Sequence, residues 1–559
     1  MPVPDSLDSP FLLEDSNTIT GGVVQNVETH LLQPNQAAYM LNIQPQIDGR
    51  RQKRNGVGPI ACAGSDPPNG LFALEAPLQS VRVLVGQWGS ALYSTPGSSQ
   101  LTRRASSVSL YNTIYQGVTG RGATNTPTLF LTSCVGVSDN ASVPYGSLVA
   151  LDNSFTFTAV SNTRVRSLAW FQSRLWGFNT CASGFGPDYL LWSNVFDGRN
   201  FSNGQNVQID PDTGDQGVAV VPLRDSTPRM FLFKEKSIYL LELYWSTDGY
   251  YPTTANSLDF TKSLLRPITL DTGAVATRAC LWTPGTRGAD VLFLSREGIR
   301  SLNRSLTDSQ GGAGLPLSYR IQPIIDRINW QAASRATADY WNGVAYFAVP
   351  IDGSVNNNFV IAYDVNRDAF WFLDWQIAGW SKAQLTADRK FFFMGNNAVT
   401  ETYASTATNG YHIYQTDTGT ADPGASPIDF DNQTKAFCFN IDGDPGSGLK
   451  YRKRWGWLDL ALQAATTSVS LTVQYKVDDD DSWTTLNTIS VTPADAFPTL
   501  PVQLPFAFSS QKLLHRKFDL STVVPGFKIQ FRLRDNVSFG QFKVQQLSIA
   551  AWPYPLNFS

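Results

Sequence analysis

The stretch Arg229-Met-Phe-Leu-Phe-Lys-Glu-Lys-Ser-Ile-Tyr-Leu-Leu-Glu242 decides the reading of the whole chain. Two short runs of β-formers flank a polar Lys-Glu-Lys-Ser break, the pattern of a β-hairpin. Neither run alternates with polar residues, so both faces of the hairpin are to be covered. That is expected where each sheet is sandwiched between neighbours, as in a propeller blade. The unit recurs. It appears at Val81–Tyr93, in TLFLTSC followed by SLVALD ending at Asp152, at Arg174–Phe178 with Tyr189–Ser193, and at Asp290–Leu302. Two further copies are Gly343–Asp364 and Lys390–Asn397 with Tyr411–Asp417. Copies mostly fall about 45 to 60 residues apart, a blade-like period. Val165–Phe171 and Gly217–Leu223 supply further strands between copies. An isolated hairpin cannot bury its apolar faces, whereas stacked blades can.

The expected fold is therefore all-β, a β-propeller of six to seven blades with an N-terminal extended arm and a C-terminal β-sandwich. The expected divisions are 1–65 for the arm and short strands, 66–430 for the propeller and 431–559 for the sandwich. Ring closure requires an outer strand from near the N-terminus or from the far end. Ser468-Val-Ser-Leu-Thr-Val-Gln-Tyr-Lys-Val477 alternates strictly and marks a half-buried antiparallel strand of the second domain. Leu317–Trp330 places Ile321, Ile324, Ile325 and Ile328 on one stripe and reads as a short helix.

Composition narrows the function. The chain has 559 residues, 42% hydrophobic and only 16% charged, with a net charge of -3. Soluble domains average about 25% charged residues, so a low-charge chain suits large buried surfaces. The balance excludes a strongly basic nucleic-acid binder and is compatible with a surface that lets DNA slide past. Five scattered cysteines, Cys62, Cys134, Cys181, Cys280 and Cys438, form no CxxC pair and read as reduced. The N-terminal residues show no basic region followed by an apolar run, and no stretch reaches the roughly 20 apolar residues of a membrane span. Synthesis in a cytosol, without export by a visible signal, is the resulting expectation.

No catalytic, cofactor or metal site is legible. His30, His412 and His515 have no second ligand at metal spacing. Nucleophile elbow, phosphate loop and dinucleotide fingerprint are all missing. Asp364-Val-Asn-Arg-Asp-Ala resembles the start of a calcium loop but lacks its glycine and terminal glutamate, and reads as a turn. Asp478–Asp481 reads as a solvated hairpin tip. Propellers also host glycosidases, whose two carboxylates must face each other across a sugar. Asp152, Glu235, Glu297 and Asp352 stand at blade turns, and Trp192 or Trp341 would be stacking platforms. The densest basic cluster, Arg50, Arg51, Lys53 and Arg54, is read as a contact to DNA phosphates, to an acidic neighbouring subunit, or as a solvated turn. Lys450, Arg452, Lys453 and Arg454 carry the same ambiguity.

Leu32–Pro59, with its Asp-Gly turn and Lys53-Arg54-Asn55-Gly56, resembles the opening of tail nozzle (tail tube) proteins of short-tailed bacteriophages. The hairpin Phe293–Leu302, the strand Arg516–Leu520 and the run Gly526–Leu533 are similar to the later parts of that family. The resemblance implies a non-enzymatic virion tail protein, a homohexameric conduit for DNA ejection. Its partners would be an adaptor ring near the portal, tail fibres or spikes, and passing DNA. The alternative is a propeller-type carbohydrate-active enzyme or a glycan-binding adhesin.

Overall fold

The computed structural model describes residues 12–62, 64–76, 81–95, 102–104, 110, 112–122, 126–133, 147–180, 185–201, 205–223, 228–246, 257–285, 288–303, 315–385, 388–403, 406–439, 447–464, 468–491 and 514–553. They fall into two compact units. One comprises the described residues of Met1–Val57, Arg367–Asp374 and Asp417–Ser559, and the other those of Gly58–Asn366 and Trp375–Thr416.

The larger unit is a seven-bladed propeller. Blade one is a four-stranded meander of Pro68–Ala76, Val81–Trp88, Ala91–Thr95 and Thr102–Arg104. Blade two is Tyr115–Arg121, Pro127–Ser133, Ser147–Asp152 and the first part of Phe157–Phe171. The second part of that long strand opens blade three, followed by Arg174–Thr180, Tyr189–Trp192 and Asn206–Gln208. Blade four is Gly217–Leu223, Arg229–Lys234, Ile238–Glu242 and Leu264–Thr269. Blade five has Cys280–Gly285, Gly288–Ser295 and Gly298–Ser301 among the described residues. Blade six opens with Thr337–Trp341, Val344–Val349 and Phe359–Asp364. The inner strand of each blade packs on that of the next, and Ile377–Ala383 of blade seven packs back on Pro68–Ala76 of blade one.

Blade seven closes the ring. Its first three strands are Ile377–Ala383, Lys390–Gly395 and His412–Gln415, and its fourth is Gly58–Cys62 from the N-terminal side, antiparallel to His412–Gln415. Each hairpin read from the sequence is the second and third strand of a blade, the pair with neighbours on both sides. Leu232, Leu240, Phe293 and Phe393 are accordingly buried between blades.

Side chains also bridge every blade junction. Thr119 Oγ1 donates to the Ala73 carbonyl at 2.7 Å, and Gln116 Oε1 accepts from the Leu168 amide at 2.7 Å. Ser167 Oγ accepts from the Val220 amide at 3.2 Å, and Thr277 Oγ1 donates to the Val218 carbonyl at 2.8 Å. Tyr340 donates to the Pro284 carbonyl at 3.3 Å. Lys382 Nζ meets Asp339 Oδ1 at 2.6 Å, and Glu75 Oε1 accepts from the Gln384 amide at 2.7 Å. Buried peptide groups are costly when unpaired, so these bridges fix the stacking that apolar area alone leaves free to slide.

The smaller unit is the sandwich. One sheet runs Ile43–Pro45, Arg51–Lys53, Phe542–Pro553, Lys453–Ala464 and Leu514–Asp519, with Leu12–Asp15 also on Phe542–Pro553. The other contains Gln36–Leu41, Phe430–Phe437, Ile529–Asp535, Val469–Val477 and Thr484–Val491. The N-terminal arm thus has no separate existence: it lends strands to both sheets of the sandwich and one strand to the propeller. The predicted helix is shorter than expected, a turn of 3-10 helix at Leu317–Ile321 running into Gln322–Ile325, and all four isoleucines of its stripe are buried.

Closure by one strand makes a sharp prediction. Ala61 is fully buried opposite Ile413. Ala61→Asp puts an unpaired charge there and is expected to cost about 3–5 kcal/mol. The check is urea unfolding followed by tryptophan fluorescence; an unchanged midpoint would contradict a structural role for this strand.

Candidate functional site

Three inner strands carry acidic, basic and aromatic groups to the junctions of blade seven with blades six and one. Thr337–Trp341 of blade six ends in Asp339, Tyr340 and Trp341, followed by Asn342 and Gly343 at φ of 48° and 86°. Two successive positive φ values are what a tight hairpin turn demands, and Asn-Gly supplies them cheaply. Trp341 stacks on Phe391 at 5.8 Å and 14°, and Phe391 stacks in turn on Trp380 at 4.9 Å and 6°. Lys382 of blade seven holds Asp339 Oδ1 at 2.6 Å and donates to the Tyr340 carbonyl at 3.1 Å. On the other side of blade seven, Glu75 of blade one accepts from the Gln384 amide and lies 3.6 Å from Arg389. Asp339, Lys382 and Glu75 all keep partial access to solvent. Burial pushes the Tyr340 phenol above its ordinary range; the Gly343 amide opposes this and the Asp364 carboxylate adds to it.

The carboxylates singled out in the sequence do not converge. Asp152 lies 3.8 Å from Arg199, Glu235 3.8 Å from Arg166, Asp352 2.6 Å from Arg327, and Glu297 pairs with Arg300. Trp192 is fully buried against Trp176 and Trp245, whereas Trp341 is half-buried in the cluster above. Glu75, Asp339 and Lys382 went unnoticed in the sequence; the acid-aromatic-aromatic run before Asn-Gly was the available signal. Among the described residues no three His, Cys, Asp or Glu side chains group as metal ligands. Asp364 caps the Asn366 amide at 2.9 Å, and Asp478–Asp481 forms a hairpin tip.

The basic cluster turns inward. Arg51 is fully buried and donates to the Ser16 carbonyl and hydroxyl, both at 2.6 Å; burial pulls its guanidinium down to about 10. Lys53 is fully buried on Asp535 at 2.9 Å; burial lowers its pKa and Asp535 restores part. Arg54 bridges Asp374 at 3.2 Å and Asp422 at 2.6 Å. Burial and the Asp422 charge push the Asp374 carboxyl up against the pull of Arg54. Only Arg50 is substantially exposed, near Asp48 at 3.6 Å. A phosphate or a neighbouring subunit therefore finds one of the four accessible. Lys453 repeats the pattern, enclosed by carbonyls of Gly448, Tyr451 and Phe527 and pulled down to about 8 by burial.

A second cluster lies behind the closing strand. His412 Nε2 faces the Val399 carbonyl at 3.0 Å, which can only accept, so Nε2 carries the proton and Nδ1 accepts from Tyr403 at 2.6 Å. Tyr414 donates to Glu401 at 3.0 Å. Burial pushes both phenols far up, helped by Glu401 and Cys62. In the sandwich, a cavity of 350 Å³ lies among Leu12, Leu32, Pro34 and Phe439. Within its polar lining Glu14 pairs with Lys435 and accepts from the Phe439 amide, and His30 Nδ1 lies 3.1 Å from Glu28.

No family model matches the chain, and no curated protein does. Solved structures similar to it include an exo-β-1,3-galactanase from Phanerochaete chrysosporium, 9% identical over 80% of this chain and 98% of that one, TM-score 0.24. A family 43 arabinoxylan arabinofuranohydrolase from Bacillus subtilis is 8% identical over 78% and 94%, TM-score 0.20. A sialidase from Trypanosoma rangeli is 8% identical over 93% and 95%, TM-score 0.23. Likeness at this level assigns no chemistry to any residue.

These findings correct the expectation of a short-tailed-phage tail nozzle, and with it the virion role, the DNA conduit and the expected lack of enzymatic activity. The three similar structures above are described as a galactanase, an arabinofuranohydrolase and a sialidase, not as tail proteins. The physical reason lies in the motifs. Lys53 and Arg54 are internal ion pairs, and Phe293–Leu302 is the hairpin any blade writes.

Burial holds the His412 imidazole below its ordinary pKa, against the Val399 carbonyl and Glu401. The unfolded chain then binds more protons, so stability rises with pH. The contribution is full above about pH 6.5 and is lost as pH falls below that toward the folded value. Thermal melts of wild type and His412→Gln across pH 5 to 8 check it: the wild type should lose more of its melting temperature on acidification, and parallel curves would refute it.

Proposed function

We propose that the chain is a carbohydrate-active propeller whose saccharide lies across the inner-strand ends of blades six, seven and one. One observation carries this reading: the inner strand of blade seven ties itself to a carboxylate on each side, Lys382 to Asp339 of blade six, two residues from Trp341, and the Gln384 amide to Glu75 of blade one. Sugars present axial C–H faces that stack on indoles and hydroxyls that donate to carboxylates. Glycosidic hydrolysis uses two carboxyl groups flanking the bond. Lys382 orients the Asp339 carboxylate as a candidate nucleophile or base. Glu75 is the partner carboxyl, with Arg389 exposed beside it. The similar solved structures act on galactan, arabinoxylan and sialosides by their descriptions, which is the class of ligand this site would take.

The test is a panel of oligosaccharides and polysaccharides read by binding on a glycan array and by release of reducing ends. Asp339→Asn is expected to lower turnover about a hundredfold or more while binding persists. Trp341→Ala is expected to weaken binding roughly tenfold. Wild-type protein that binds no saccharide and releases no sugar sinks the proposal.

A further inference from the structure

The sandwich contains a cavity that the saccharide reading leaves unused. Its volume is 350 Å³, within the range of about 300–1,000 Å³ typical of small-molecule sites. Leu12 and Glu14 of one sheet line it, with Lys435 of the other sheet and with His30 and Leu31 of the 3-10 turn Thr29–Leu31. Leu13 and Leu31 are 53% and 43% exposed and form its solvent-facing rim.

Two observations point to a ligand. His30 is only 7% exposed, yet its imidazole is not satisfied. Nδ1 lies 3.1 Å from the Glu28 carboxylate without the alignment of a hydrogen bond, and among the described residues none bonds Nε2. A buried polar group without a partner is costly. The second observation is Phe439 on the cavity wall, whose φ of 52° is a strained value for a bulky residue. Its amide is held in place by Glu14 Oε2 at 3.0 Å. Strain of this kind persists only where the surroundings impose it, and it clusters at binding sites.

Charge decides the kind of ligand. The Glu14 carboxylate is paired with Lys435, so the two cancel. A charged ligand would lose its hydration here without gaining net attraction. We propose that the cavity binds a neutral amphiphile, a compact hydrocarbon body bearing a hydroxyl group. The body packs on Leu12, Leu32, Pro34 and Phe439, and the hydroxyl completes the hydrogen bonding of His30. A hydroxyl both donates and accepts, so it serves the imidazole in either tautomer. Glu28 beside the imidazole disfavours an anionic head further.

The test is a titration of the full chain, followed by ligand-observed NMR, with adamantanol, adamantane carboxylate and adamantylammonium. These set three heads on one body. Adamantanol is expected to bind saturably, and both charged analogues at least tenfold more weakly. His30→Leu should weaken adamantanol binding about tenfold, the loss of one hydrogen bond. Leu31→Trp, at an exposed rim position, should block entry while the melting temperature stays unaltered. If His30→Leu does not fold, Leu31→Trp decides the matter. Absence of saturable adamantanol binding overturns the proposal. So does either charged analogue binding as tightly as the alcohol, or an affinity unchanged in either folded variant. Saccharide binding is read separately and does not bear on this outcome.

Discussion

Everything in the larger unit depends on five residues pairing across the whole ring. Gly58–Cys62 supplies the last strand of blade seven, whose other strands lie more than three hundred residues later in the chain. Without it, blade seven ends in an open edge at His412–Gln415. Bringing such distant segments together costs loop entropy that grows only slowly with length. Non-local pairings of this kind form late and fold slowly. The cluster behind the strand explains how so short a strand holds. Tyr403, His412, Tyr414 and Glu401 share buried hydrogen bonds, and Trp88 Nε1 of blade one donates to the Tyr411 carbonyl at 3.1 Å.

The chain treats its cations as internal parts. Arg51, Lys53, Arg54, Lys234 and Lys453 are all nearly or fully buried. Lys234 is enclosed by the carbonyls of Ile209 and Asp210, at 3.1 and 3.2 Å, with the Thr213 hydroxyl at 3.4 Å. A buried charge is expensive unless its hydrogen-bonding capacity is met, so each such group fixes the conformation of the loop that surrounds it. This is why a run of four basic residues near the N-terminus, which in sequence looks like a phosphate contact, becomes a brace for the sandwich.

The legibility of each strand followed its position in the blade. Central strands such as Arg229–Lys234 and Ile238–Glu242 are covered on both faces, so their sequence is a plain apolar run. Inner strands were harder to recognise, because they carry the polar groups that join blades: Tyr115–Arg121 has Gln116 and Thr119 where an apolar run would be expected. Outer strands gave almost no signal, since Leu264–Thr269 meets solvent along most of its length. The arm was legible only as short extended pieces for a related reason. Its strands are three to six residues long and interrupted by Asn, Gln and Pro, and only the later strands beside them show that they belong to sheets. The site was the least visible, since Glu75 and Asp339 are distant in sequence and each meets blade seven only because the ring places it there.

Site and closure are consequently one problem. Lys382 and Gln384 stand at the end of the same inner strand, one bound to blade six through Asp339 and the other to blade one through Glu75. Blade seven is the blade that stays incomplete until Gly58–Cys62 arrives. Until then, nothing fixes the inner strand of blade seven against blade one, and Glu75 has no defined position relative to Asp339. The two bridges that blade seven makes, to Asp339 and to Glu75, therefore belong to the closed ring. A loss of closure removes the site before it unfolds blades two to five, whose hairpins and junction bridges are local.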